Sequence, residues 1–138
     1  MMSPTTSLLG AGTDVTVVAW HDPVVDDLGL PVRGTYVEVV WAGLLGPTAT
    51  AALRFLAPPS SLPADQATLD IADLAATLGV SRSVLLRALS RLVRFGFVHR
   101  RPRVLEVRAF ASPVPAHNVC GLSRTAQAFH AAAIATLP

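Results

Sequence analysis

Two short amphipathic segments, separated by a turn that contains glycine, restrict the possible folds of this chain more than any other feature. Asp70–Leu78 carries apolar residues at helical spacing, and the Asp70 carboxylate is suited to cap its first turn. Gly79 follows where a tight turn needs a positive φ, which glycine adopts at little cost. Ser81 can cap a second helix, Arg82–Phe95, which a further glycine ends. The spacing predicts two helices that cross over a turn of about three or four residues.

This pair is predicted to be a helix-turn-helix, and its second helix has one charged and one apolar face. At about 100° per residue, leucines fill one side of the helix, whereas serines and arginines share the other. The major groove of duplex DNA admits such a helix, where arginine pairs with guanine edges or holds phosphates. The first residues of a recognition helix usually reach the bases. The predicted base contacts are Ser81, Arg82, Ser83 and Arg87, and the predicted phosphate contacts are Arg91 and Arg94.

Charge is divided unequally along the chain. Residues 74–138 contain nine arginines and a single acid, Glu106, for a formal net charge of +8, whereas residues 1–73 carry −6. A basic stripe on adjacent elements is the electrostatic footprint of a nucleic-acid binder, and a solvated basic face is the alternative. Arg54 and Arg124 fall outside the stripe, so we expect them to be ordinary solvated residues.

A basic hairpin is predicted directly after the second helix. Phe97–Arg100 and Val104–Phe110 have the composition of two strands around a tight turn. An arginine-bearing tip of this kind is favoured beside phosphates or in a narrow minor groove, and a plain solvated hairpin is the alternative. The arginines at this tip, which we expect to contact DNA, are Arg100, Arg101 and Arg103.

The rest of the chain divides at proline- and glycine-containing breaks. Residues 1–12 are predicted as a disordered lead, 13–45 as a scaffold or assembly region, 46–111 as the DNA-binding domain, and 112–138 as a linker with a C-terminal helix. The predicted elements outside the basic segment are a strand over Thr13–Trp20, helices over Thr35–Leu45 and Thr48–Ala57, a loop over 60–67, and a last helix over Leu122–Leu137.

At this point a resemblance to a known family is clear. Gly46–Phe110 resembles the winged helix-turn-helix domain of bacterial transcription regulators, through the segment DIADLAATLGVSRSVLLRALSRLVRFGFV and its basic hairpin. The chain is also similar to a group of small bacterial helix-turn-helix proteins with a WHDP segment, here Trp20–Pro23, and a YVE…W…LGP segment, here from Tyr36 to Pro47. The resemblance implies a mainly α fold with a small antiparallel β-sheet, flanked by N- and C-terminal helices. It also implies a homodimer assembled through those helices, and the alternative is that they merely cap the core.

Other functional classes find little support in the sequence. Cys120 is the single cysteine, and the four histidines show no metal-ligand spacing, so neither a metal nor a cofactor is expected. No catalytic constellation is present, and we expect no enzymatic activity. No apolar run reaches the roughly 18 residues of a membrane span, and the first residues do not resemble a signal peptide.

The sequence therefore predicts a cytoplasmic, nucleoid-associated regulator that binds double-stranded DNA with sequence specificity. Two alternatives remain open. One is a winged helix that docks on a protein partner such as the transcription machinery, and the other is a nucleoid-type architectural protein with little sequence preference.

Overall fold

The computed structural model describes residues 14–58 and 67–137, so the predicted lead over 1–12 and most of the loop over 60–67 lie outside the described residues. Within them the strands are β1 (Asp14–Trp20), β2 (Ala67–Asp70), β3 (Val98–Arg101) and β4 (Val104–Arg108). The helices are α1 (Pro23–Asp26), α2 (a π-helical segment, Val37–Trp41, continued by Ala42–Leu45), α3 (Pro47–Leu56), α4 (Ile71–Leu78), α5 (Arg82–Arg94), α6 (Ala116–Val119) and α7 (Arg124–Ala135).

The sheet is mixed, with the strand order β2-β1-β4-β3. Strand β1 pairs with β2 in antiparallel and with β4 in parallel orientation, and β3 and β4 form the predicted antiparallel hairpin. The expectation of an antiparallel sheet is therefore wrong. The prediction also missed β2. Its four residues, Ala-Thr-Leu-Asp, alternate apolar and polar, but so short a run beside a helix cap gives no clear strand signal, and it forms a strand by pairing with β1.

Strand β1 lies at the centre of this sheet because its residues suit both faces. Val15 and Val17 point into the core with 1% and 4% exposure. Thr16 points the other way, and its hydroxyl lies 3.3 Å from that of Thr68 on β2. Its backbone N–H donates to the carbonyl of Arg103, in the β3–β4 turn, at 2.8 Å. The N-terminal strand thereby reaches the tip of the basic hairpin.

The α4–α5 pair forms through the predicted capping interactions. Asp70 accepts a hydrogen bond from the N–H of Ala72 at 3.2 Å, and Gly79 ends α4 with φ 74°. Ser81 accepts from the N–H of Val84 at 3.2 Å and begins α5. Each cap satisfies an N–H group that the first turn of a helix leaves without a backbone partner. The predictions for both helices and for the turn between them are confirmed.

Helix α2 lies inside the main core, although its apolar residues were expected outside it. The indole of Trp41 is 3% exposed and donates to the carbonyl of Ser112 at 2.8 Å. Its ring packs edge-on against Phe97, with centroids 4.8 Å apart, and against Phe95 at 6.0 Å. Phe95 and Phe97 flank the glycine that ends α5, so α2 supports the junction between α5 and the hairpin.

Tyr36, which directly precedes the π-helical segment, attaches the C-terminal region to the same core. Its buried hydroxyl accepts from the N–H of Val114 at 2.9 Å and lies 2.7 Å from Nδ1 of His130, to which it can donate its only hydrogen. Burial raises the pKa of the Tyr36 hydroxyl, and the bond from Val114 opposes part of this rise. Because Tyr36 and Trp41 are buried, neither is available to a dimer surface, and the homodimer stays a prediction.

The corner between α2 and α3 depends on a glycine. Gly46 has φ 83° and ψ 165°, a conformation open almost only to glycine, and Pro47 follows as the first residue of α3. A Cβ at position 46 would also lie 3.4 Å from Nη1 of Arg91 on α5. That distance is at the edge of ordinary van der Waals contact with the end of a flexible side chain, so the backbone conformation is what requires glycine here.

Replacing Gly46 with alanine is expected to lower the free energy of unfolding by about 1–3 kcal/mol, because the alanine would be held in a strained conformation. Urea denaturation of both proteins measures the difference. Gly121→Ala is the matched control, since the nearest atom to a Cβ there is an ordinary contact at 3.8 Å. Equal stability of the two variants would contradict the requirement for glycine at the corner.

Candidate nucleic-acid interface

The predicted charged face of α5 is exposed in the structure. The side that faces the core consists of Leu85, Leu86, Ala88, Leu89 and Leu92, all of which are buried. The exposed residues of the helix are Arg82, Ser83, Arg87, Arg91 and Arg94. The angular pattern of the sequence therefore separates the two faces correctly, because a helix of thirteen residues has no freedom to rotate once its leucine side is packed.

The serines at the start of α5 are partly used by the protein itself. Ser81 caps the helix, and its hydroxyl oxygen lies 3.3 Å from that of Ser83. Both residues are exposed, so each keeps hydrogen-bonding capacity on its outer side. Their assignment as base contacts stays a prediction.

Arg91 is anchored to the α2–α3 corner. Its Nη1 donates to the carbonyl oxygen of Leu45, the last residue of α2, at 3.3 Å. This bond supplies a partner to a carbonyl in the last turn of a helix, where the helix itself provides no backbone N–H. The residue is still exposed, so its remaining guanidinium donors can reach a ligand.

The hairpin brings Arg101 against the single acid of residues 74–138. Arg101 Nε lies 2.9 Å from Oε1 of Glu106, and Nδ1 of His99 lies 3.2 Å from the same oxygen. Pairing in the sheet causes this arrangement, because His99 is directly opposite Glu106 across β3 and β4. Arg101 therefore has an internal ion pair that any phosphate must compete with or share, which the sequence did not indicate.

The turn of the hairpin holds Arg103 in an unusual backbone conformation. Among the described residues other than glycine, Arg103 alone has a positive φ, at 59°. Pro102 and Arg103 are the two central residues of the turn. Where proline is at the first of these positions and the second has a positive φ, glycine is normally preferred at the second. Arg103 is exposed, so the conformation presents its side chain at the outer end of the hairpin. Strain of this kind is often retained at a functional position.

Arg108 connects the base of the hairpin to the N-terminal region, a role that the sequence did not indicate. Its Nε donates to the carbonyl of Gly96 at 2.6 Å, and its Nη1 donates to Oδ2 of Asp22 at 3.2 Å. Its guanidinium carbon also lies 3.7 Å from the centre of the Trp20 ring. Trp20 and Asp22 belong to the WHDP segment, so that segment contributes to structure here. Arg108 is therefore a structural arginine at the base of the hairpin.

The arginines of α5 and the hairpin fall into two groups. Arg91, Arg101 and Arg108 bond to groups of the protein. Arg54, which was expected to be solvated, is also engaged, since it donates to the carbonyl of Arg33 at 2.8 Å. On α5 and the hairpin, within the described residues, the arginines whose guanidinium groups have no hydrogen-bond or ion-pair partner are Arg82, Arg87, Arg94, Arg100 and Arg103.

No match was found when the chain was compared with protein-family models, with curated proteins and with solved structures. In the part of the chain that the structure describes, no cluster of three histidine, cysteine or acidic side chains is placed to hold a metal ion. In that part, too, every helix is too short or too polar to cross a bilayer.

The Asp22–Arg108 bond predicts a pH-dependent contribution to stability. Partial burial raises the pKa of Asp22, but the bonds from Arg108 and from the N–H groups of Val25 and Val24 outweigh this effect, so the pKa lies below that of an ordinary aspartate. A carboxyl whose pKa is lowered by folding stabilises the fold at pH values above its ordinary pKa. This contribution is lost as the pH falls through the lowered pKa.

Asp22→Asn is therefore expected to destabilise the protein at pH 7 and to have progressively less effect below about pH 4. Urea unfolding over this pH range measures the effect, and Asp27→Asn, at an exposed acid nearby, is the control. A destabilisation by Asp22→Asn that is the same at every pH would show that the charge of Asp22 has no role.

Proposed function

We propose that this protein binds double-stranded DNA and regulates transcription as a winged helix-turn-helix protein. The observation that supports this most strongly is the set of five arginines on α5 and the hairpin that have no partner within the described residues. A protein that needed arginine only for solubility would have no reason to concentrate it on two consecutive elements. Their concentration suits a polyanionic ligand.

The arrangement of elements around these arginines supports the proposal. Helix α3, strand β2, the α4–α5 pair and the β3–β4 hairpin follow one another in the order of a winged helix-turn-helix domain. In the proposed complex, α5 enters the major groove, and the hairpin lies beside the phosphate backbone. The hairpin turn has only two residues, Pro102 and Arg103, between its strands, so we expect contact with the backbone and no deep insertion into the minor groove.

Binding of a protein partner is the second candidate, and one observation favours it. Arg101 is paired with Glu106, which reduces the positive charge that the hairpin offers to DNA. In this alternative α5 docks on an acidic surface of the transcription machinery. A nucleoid-type protein without sequence preference is a variant of the DNA proposal.

Fluorescence anisotropy with a labelled random duplex, at low and high salt, tests the proposed function. We expect binding at low salt that weakens steeply as salt rises, because each arginine that meets a phosphate releases counterions. No binding at low salt would refute both DNA proposals and favour a protein partner. Selection from genomic fragments then separates the other two, since an enriched sequence supports a regulator and no enrichment supports an architectural protein.

Arg103→Gly is expected to weaken DNA binding without lowering the stability of the fold. Glycine adopts the positive φ of position 103 without strain, so the variant should unfold at the same urea concentration as the wild type or a higher one. Loss of the guanidinium should weaken binding to all duplexes alike and lower the salt slope by about 1.

Arg124→Ala is the control for this comparison, since Arg124 is an exposed arginine on α7 and belongs neither to α5 nor to the hairpin. Equal affinity of the Arg103→Gly and Arg124→Ala variants would exclude the hairpin tip from the interface.

A further inference from the structure

A small cleft opens between the α2–α3 corner and α5. Its volume is about 280 Å³. The corner contributes residues 45–49, and α5 contributes Val84, Arg87, Ala88 and Arg91. Among the described residues that line the cleft, Arg87 and Arg91 are the charged ones, so nothing in this lining repels an anion.

The two arginines are arranged as a pair. Positions four apart on a helix are neighbours, about 5–6 Å apart at Cβ, and like charges at that spacing disfavour the helix by a few tenths of a kcal/mol. Arg91 is held in place by its bond to the Leu45 carbonyl at 3.3 Å, while Arg87 has no partner within the described residues. An anion between the two guanidinium groups would attract both of them and so offset their mutual repulsion. Arg91 is already held in position for such a contact.

The size and lining of the cleft limit the kind of anion that it can bind. Pockets for drug-sized ligands have volumes of roughly 300–1,000 Å³, so this open cleft is at or below the small end. Beside the arginines it offers the side chain of Thr48, whose hydroxyl can donate a hydrogen bond. Guanidinium groups bind phosphate oxygens in bidentate geometry, and serine and threonine commonly contact the phosphates of DNA. A single phosphate group fits this chemistry.

We propose that the cleft binds one backbone phosphate of duplex DNA between Arg87 and Arg91. This inference rests on the proposed function and adds a specific contact to it. It changes the expected role of Arg87, which the sequence assigned to base recognition. The cleft lies where α5 packs against α3, at the edge of the exposed face of α5. In this role Arg87 would fix the position of α5 along the DNA backbone.

The test compares Arg87→Ala with the wild type for affinity, salt dependence and base preference. Arg87 is exposed and makes no bond within the described residues, so this variant should fold normally. We expect its salt slope to fall by about 1, with the same fractional loss of affinity for the preferred duplex and for a random one. Arg87→Lys should restore the slope but only part of the affinity, because lysine keeps the charge without the planar fork.

Two controls make the outcomes distinct. Arg124→Ala removes an exposed arginine elsewhere and should leave affinity and slope unchanged. Thr48→Val keeps the volume of the side chain and removes its hydroxyl, and a several-fold loss of affinity at constant salt slope is expected.

If the wild type binds no duplex, the proposed function itself has failed. If the wild type binds and Arg87→Ala behaves like Arg124→Ala, or changes base preference alone, the proposed function stands and the phosphate contact is refuted.

Inorganic phosphate distinguishes a DNA phosphate from a free one. At equal ionic strength, phosphate should compete with the duplex no better than chloride, because an isolated ion lacks the neighbouring contacts that hold the DNA. Strong competition by phosphate that Arg87→Ala abolishes would identify the cleft as a site for the free anion and overturn the proposal.

Discussion

Strand β1 is the element on which the rest of the structure depends. Among the described strands it alone connects β2 to the β3–β4 hairpin, since β2 pairs with β1 and not with β4. Its Val15 and Val17 side chains complete the core under the helices, and its Thr16 N–H bonds to the hairpin turn at Arg103. Strand β1 is therefore an integral part of the sheet that carries the basic hairpin, because without it β2 would be separate from the β3–β4 pair.

A second set of contacts fixes the hairpin at its base. Arg108 joins Gly96, which follows α5, to Asp22, which caps the start of α1, and to the Trp20 ring. Trp41 packs against the aromatic residues on either side of Gly96. These contacts place the hairpin and α5 in a defined mutual orientation. In the proposed complex with DNA, such a preset orientation would lower the entropy cost of binding. The acidic first half of the chain thus contributes structure to the basic second half.

Much of this could be predicted because it is local. The caps at Asp70 and Ser81, the turn at Gly79 and the division of α5 into two faces follow from backbone chemistry and helical periodicity within a few residues. Strand β2 could not be predicted, because a run of four residues next to a helix cap is too short to indicate a strand until β1 pairs with it. The burial of Trp41 was missed for a related reason. An apolar helix is equally suited to a dimer interface or to the core, and only its neighbours in space decide between them.

The sequence by itself determined the helix pair, the hairpin and the concentration of arginine on them, since each depends on residue types at short spacing. Only the tertiary structure decided which arginines are available. Arg91, Arg101 and Arg108 resemble their neighbours in sequence, yet a helix-end carbonyl, a cross-strand carboxylate and a distant aspartate engage them. The physical reason is that a guanidinium group has five donors and a long side chain, so its role depends on the acceptors that folding brings within its reach.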